Sequence, residues 1–529
     1  MRTTMADHTY DLVPYESAAF PQTHPDRLAT MARLFGIDAP PVARCRVLEL
    51  GAGTGGNLIP MAYGLPDARF VGIDLSAAHV ADGAQAIEAL GLTNVTLKQM
   101  SITDVGPELG EFDYIVCHGV YSWVPAPVRD AVLTIFRRML APNGVAYVSY
   151  NTYPGWHVRG TIRDLARYHA SLFEEPAQKI GQARAVLDFL AKSTSADDPF
   201  GALLKLEVDL IAKQHDSYFF HEHLEEVNQP FYFHEVAEQV SAKELQYLAD
   251  ADFSTMLATN FPPAVTETLR RLAKDVIRME QYMDFLRKRS FRASLLVHRE
   301  QTLRRALGPS SVQSLYVLSS AATDPGLDVR GAKAAQFRSR DGAGMSTPHP
   351  ITKAAMVLLA EAWPEAIAFD DLVARARARL APKGAASPAP DAAARAEDAR
   401  ILGADLLTAY GGRIVDLRTT PVRARRGVSG RPAASPVARR EARRGARVTS
   451  QRHESIELDD LQRHLVPILD GTRDRAAVVE HVVDLAVNGP LVIRRHGEPV
   501  KDRGVLRGAL EPRVGEALAS LAASALLVD

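Results

Sequence analysis

Cys45-Arg46-Val47-Leu48-Glu49-Leu50-Gly51-Ala52-Gly53-Thr54-Gly55-Gly56-Asn57 is a short apolar run that ends in a glycine-rich turn and leads into a helical pattern. The run reads as a buried strand. Glycines after it remove side chains so that backbone can approach a ligand closely, and the next helix offers unpaired N–H groups. A cofactor loop is the natural reading. Gly51, Gly53 and Gly56 satisfy G-x-G-x-x-G, and Asp74 follows about 20 residues on, so the dinucleotide fingerprint is formally met. Glu49 discriminates between cofactors. A carboxylate two positions before the first glycine repels pyrophosphate but suits an ammonium group, and S-adenosylmethionine carries an ammonium, a sulfonium and no phosphate. Glu49 therefore favours S-adenosylmethionine over NAD.

Working outward, Pro25 to Phe35 has helical spacing closed by Gly36, and further short strands are expected at Phe70–Asp74, Val95–Leu97, Phe112–Cys117 and Gly144–Tyr150. Pro127 to Leu140 reads as a helix ending in the turn Pro142-Asn143-Gly144. Strands and helices alternating at this pace predict an α/β fold with a parallel, Rossmann-like sheet. Asp74, at the end of the second strand, is placed to accept from ribose hydroxyls, with Leu75 beside it. After the third strand, where an acid often meets the adenine amine, this chain has Ser101-Ile102-Thr103-Asp104, so Ser101 or Asp104 is the expected contact and Ile102 its apolar neighbour.

The chain has 529 residues, enough for three or four packed units. Domains are expected at 1–160, at 161–318 (mainly helical) and at 345–529, with a linker over Ser319–Pro348 and a flexible connector near 381–398. With 62 Lys and Arg against 63 Asp and Glu, the formal charge is −1, which provides no global field for nucleic acid or an anionic membrane. Arg418 to Arg447 is an arginine-rich exception. It lacks interleaved aromatics and reads as a solvated loop. Two cysteines are too few for a disulfide framework, and no signal peptide or long apolar run is evident, so a cytoplasmic protein is expected. His221-Glu222-His223 does not predict a metal site, because on a helix the two imidazoles point about 200° apart. Glu280 to Arg287 reads as a helix with an aromatic and aliphatic core face.

Two loops at the carboxyl ends of strands carry ring side chains: His118-Gly119-Val120-Tyr121-Ser122-Trp123-Val124-Pro125 and Asn151-Thr152-Tyr153-Pro154-Gly155-Trp156-His157. Aromatic walls exclude water and hold cations at roughly 0.5–2 kcal/mol per contact. Methyl transfer from a sulfonium demands alignment, desolvation and a neutral nucleophile. Candidate catalytic residues are therefore His118, Tyr121, Trp123, Tyr153 and His157, with either histidine able to accept a proton or merely to hydrogen-bond.

These blocks, together with Gln22-Thr23-His24-Pro25, Ser149-Tyr150, His221-Glu222-His223-Leu224-Glu225, Glu280 to Arg287 and Leu469-Asp470-Gly471-Thr472-Arg473, resemble a bacterial family of class I S-adenosylmethionine-dependent methyltransferases with a methyltransferase regulatory domain. The resemblance implies that Glu49, Gly51, Gly53, Gly55, Asn57 and Asp74 bind the cofactor and that the loop from Tyr121 to Trp123 borders the transferred methyl. It also implies a winged-helix-like α+β C-terminal domain, a protein lysine acceptor and a dimeric assembly. A small-metabolite acceptor and a non-catalytic S-adenosylmethionine sensor are the competing readings.

Overall fold

The computed structural model describes residues 17–528 except 196, 341, 383–390, 423, 425–426 and 496–497. Its centre is a seven-stranded sheet in the order β3-β2-β1-β4-β5-β7-β6. The strands are β1 (Arg46–Leu50), β2 (Arg69–Asp74), β3 (Val95–Gln99), β4 (Phe112–Cys117), β5 (Leu140–Asn151), β6 (Leu245–Asp250) and β7 (Phe291–His298). β1 to β5 are mutually parallel, and β7 runs antiparallel between β5 and β6. The first five lie where their apolar runs predict. β6 and β7 do not: they arise within the region read as mainly helical, and they order only by pairing with an edge strand distant in sequence.

Alternation along the buried strands loads both faces. Val47, Tyr114, Val116, Val145, Tyr147, Leu295 and Val297 face one core; Leu48, Ile115, Cys117, Ala146, Val148 and Leu296 face the other. The helices in chain order are α1 (Pro25–Leu34), α2 (Leu58–Gly64), α3 (Ala77–Ala89), α4 (Ala126–Met139), α5 (Gly155–Ala170), α6 (Pro176–Ser193), α7 (Pro199–Ile211), α8 (Asp216–His223), α9 (Phe233–Ala242), α10 (Pro263–Leu272) and α11 (Val276–Arg287). α4 and α9 cover one face of the sheet. α1 covers the other, together with residues 312–417, including the helices Pro350–Ala362 and Phe369–Leu380. α5 to α8 pack into a satellite cluster of their own.

The expected third domain at 345–529 is thereby divided. Its first part shares the core of the sheet, and residues 434–527 form a separate core. The expected linker at 319–348 contains a β-hairpin, Ala335–Arg338 with Gly344–Thr347. The connector near 381–398 is also shorter than expected. Residues 383–390 lie outside the described residues, and Asp391 accepts from Ala393 N and Ala394 N to cap a helix at Ala392–Gly411. Nor is the arginine-rich stretch only a loop. Arg418 is buried against Asp26, and Pro436–Ala442 is helical.

α11 turns its expected face around. Glu280, Gln281, Met283 and Asp284 are buried, whereas Tyr282, Phe285 and Leu286 are exposed. The reason is Arg292 on β7, whose guanidinium lies 2.6 Å from Asp284, 3.0 Å from Glu280 and 3.5 Å from Asp250, over the Phe233 ring at 3.8 Å. A buried cation needs carboxylates around it, and that requirement outweighs apolar patterning.

Candidate functional site

The strand order reverses between β1 and β4, so a crevice opens beyond their carboxyl ends. Gly51, Gly53 and Gly55 line it with left-handed φ values of 77°, 53° and 77°. A Cβ on Gly51 would lie 2.5 Å from Val120 Cγ2. Gly56 serves a different purpose from the third glycine of a dinucleotide loop: its N–H donates to Ser17 Oγ at 3.0 Å, and a Cβ there would meet Ser17 O at 2.6 Å. Residues 17–24 thus run across the glycine turn.

Glu49 lies at the floor, 4% exposed. Its Oε1 accepts from Asn57 Nδ2 at 2.7 Å, and its Oε2 is buried with no hydrogen-bond partner among the described residues. Burial pushes its carboxyl up to about 8, opposed by the Asn57 hydrogen bond and assisted by the charge of Asp74. Asp74 accepts from Gly53 N at 2.8 Å and Ser76 N at 3.0 Å, which tethers the ends of β1 and β2. Leu75 is 49% exposed at the rim, and half-buried Ile102 follows the neighbouring β3. Ser101 is engaged locally, accepting from Thr103 N in a short turn, and Asp104 is exposed.

The ring side chains separate into four groups. His118 packs tilted against Phe20, ring centroids 3.9 Å apart, and its Nδ1 is 2.9 Å from the Tyr147 hydroxyl and 3.3 Å from Ser149 Oγ. Burial lowers the imidazole to about 4, so it is neutral at physiological pH and a weak base. Tyr121 turns into the core, donating to Gln239 Oε1 at 2.7 Å beside Tyr150 and Phe231. Trp123 meets Trp156 edge to face at 6.3 Å, and the Trp156 indole N–H has no partner among the described residues. At the outer rim Tyr153 stacks on His157 at 4.2 Å, and His157 Nε2 is 3.0 Å from the Tyr232 hydroxyl. The fold therefore brings the two predicted loops together through Trp123 and Trp156, and it separates His118 and Tyr121 from that contact. Phe20, Tyr147 and Tyr232 were not singled out from the sequence. For Tyr232 a signal existed in Asn228-Gln229-Pro230-Phe231-Tyr232, a proline between polar and aromatic residues.

Comparison with known proteins decides the family. Residues 47–144 match a methyltransferase domain, 215–298 a predicted methyltransferase regulatory domain, and 430–526 the PKMT C-terminal winged helix domain. The chain is 35% identical over 533 residues to the uncharacterized protein RP789 of Rickettsia prowazekii (strain Madrid E), covering 99% of this chain and 95% of that one. The chain belongs to the class I S-adenosylmethionine-dependent methyltransferases with a regulatory domain. A second Rickettsia prowazekii relative, the uncharacterized protein RP028, is 39% identical over 241 residues, 45% of this methyltransferase and 96% of that protein. The structure of PKMT2 from Rickettsia typhi in complex with AdoHcy superposes with a TM-score of 0.86 at 28% identity, covering 98% of this chain and 100% of that one.

S-adenosylmethionine is the cofactor of this methyltransferase, and the site has the means to hold it. An unpartnered buried carboxylate oxygen suits an ammonium, the left-handed glycines let the turn fold tightly beside it, and exposed Leu75 suits a flat base. When bound, the cofactor supplies an electrophilic methyl on sulfur. Among the described residues no group of three His, Cys, Asp or Glu could hold a metal ion, and no helix is long and apolar enough to cross a membrane.

Proposed function

We propose that this methyltransferase modifies lysine side chains of a protein acceptor. The observation that carries the reading is the end-to-end match to PKMT2, a protein lysine methyltransferase by name, including the PKMT winged helix. In this reading Glu49 takes the ammonium of the cofactor, Asp74 the ribose, and Leu75 with Ile102 the adenine. The acceptor enters past Tyr153, His157 and Tyr232 toward Trp123 and Trp156.

A lysine must lose its proton to attack. With its imidazole lowered to about 4, His118 is a weak base, so an apolar slot that disfavours the ammonium is the route to a neutral amine. Transfer then rests on alignment and exclusion of water. Replacing Trp123 by alanine is expected to lower turnover about 10- to 100-fold while leaving affinity for S-adenosylhomocysteine within about threefold. Tyr121→Ala, by contrast, is expected to cost stability, since its ring is core. The direct test incubates the protein with methyl-labelled S-adenosylmethionine and a bacterial lysate, followed by mass spectrometry of labelled species. Methylated lysines support the reading; label confined to small molecules rejects it.

A further inference from the structure

Asn57 is the point at which three distant segments meet. Its Oδ1 accepts from Phe20 N at 3.0 Å and lies 2.9 Å from His453 Nε2. Its Nδ2 donates to Glu49 Oε1 at 2.7 Å and to Thr23 Oγ1 at 3.0 Å. With the amide nitrogen committed to two acceptors, Oδ1 is the acceptor for His453, and the imidazole must carry its proton on Nε2.

His453 sits on the hairpin between the strands Arg447–Thr449 and Ser455–Glu457 of the C-terminal winged helix, 396 positions along the chain from Asn57. It is 3% exposed, with a left-handed φ of 61° that a non-glycine residue rarely adopts. The hairpin tip is braced from several sides. Gln451 N donates to Ala525 O at 2.8 Å, the Arg452 guanidinium lies over the Trp363 ring at 4.3 Å, and Arg452 pairs with Glu454 at 2.6 Å. Ser455 Oγ donates to Ala19 O at 3.2 Å, which ties the hairpin to the segment crossing the glycine turn. At the rim of the same contact Arg444 forms a two-pronged pair with Asp82 on α3, at 2.8 and 2.9 Å.

We propose that His453 is a positioning residue of the cofactor site. By donating to Asn57 Oδ1 it fixes the amide in the orientation that holds the Glu49 carboxylate, so that affinity for S-adenosylmethionine depends on docking of the winged-helix domain. Without His453 the Asn57 amide is held only by Phe20 N and Thr23, and its grip on Glu49, for which it is the only protein donor among the described residues, loosens. The role of His453 rests on Glu49 meeting the ammonium of the cofactor and is independent of the acceptor.

The test is calorimetric titration of the full-length protein with S-adenosylhomocysteine, which needs no acceptor. His453→Ala is expected to weaken binding about tenfold, the value of one buried hydrogen bond. His453→Gln, whose carboxamide can donate from nearly the same position, is expected to recover most of that loss at equal thermal stability. Wild-type affinity in His453→Ala overturns the proposal, as does equal weakening in both variants in step with lost stability. Should His453→Ala fail to fold, an exposed pair gives the answer. Asp82→Arg opposes Arg444 and should weaken binding, and Asp82→Arg with Arg444→Asp should restore it. Unchanged affinity in Asp82→Arg, or no recovery in the double variant, counts against dependence on docking.

Discussion

At the residue scale the site turns on one buried carboxylate. Glu49→Gln keeps the shape and the Asn57 contact but removes the charge. Affinity for S-adenosylhomocysteine should fall about 10- to 100-fold, since a hydrogen bond to a charged partner contributes about 1.5–3 kcal/mol. The same group sets a pH dependence. With its carboxyl raised to about 8, free Glu49 holds a proton at pH 7, whereas an arriving ammonium favours the anion. Ligand binding at pH 7 should therefore release close to one proton, read from titrations in buffers of different ionisation heat, and Glu49→Gln should release none. The linked effect on stability has a definite sign. Between the unfolded value of about 4.5 and the folded value of about 8, the folded state binds the extra proton, so the ligand-free protein loses stability as pH rises through that window. The variant lacks this slope. Glu49 and Asp74 were legible in the sequence because their spacing from the glycines is local. The position of Tyr121 was not, because an aromatic loop residue can turn toward ligand or core, and its partner Gln239 lies 118 positions away.

At the element scale β1 to β5 and their helices follow from local pattern, whereas β6, β7 and the buried face of α11 do not. α11 reads as a core helix because its aromatic and aliphatic residues share a face. In the fold its carboxylates are inside, since Arg292 arrives from β7. Arg292→Met should leave Glu280 buried without its cation and Asp284 with only Arg289 at 3.7 Å, and cost about 3–5 kcal/mol, seen as a lowered thermal midpoint. Arg292→Lys should recover less than half, because an ammonium cannot reproduce the forked contacts with both carboxylates. A midpoint unchanged in Arg292→Met would show that the acids had lost their charge instead.

At the scale of the whole molecule, the segment before α1 and the first turn of that helix act as a keystone. Thr23 reaches Asn57, while Asp26, fully buried, accepts from Thr419 N at 2.8 Å and Thr420 N at 3.0 Å and faces Arg418 at 3.6 Å. Asp26→Ala should free residues 416–420 from α1 and speed tryptic cleavage within the arginine-rich stretch 418–447 by roughly tenfold or more under native conditions, since cleavage follows the population of the open form. Cleavage at the wild-type rate would mean that other contacts hold the segment. The sequence by itself determined the parallel α/β sheet, the glycine turn and the placing of Glu49 and Asp74 at the strand ends beside it, because each depends on residues within short strand–turn–helix units. Only the tertiary structure decided that residues 312–417 cover the sheet, that two strands of the middle region extend it, and that His453 closes the circuit through Asn57. Those arrangements join groups hundreds of positions apart, and hydrogen bonds and buried charges at such separation exist only once the intervening cores have packed.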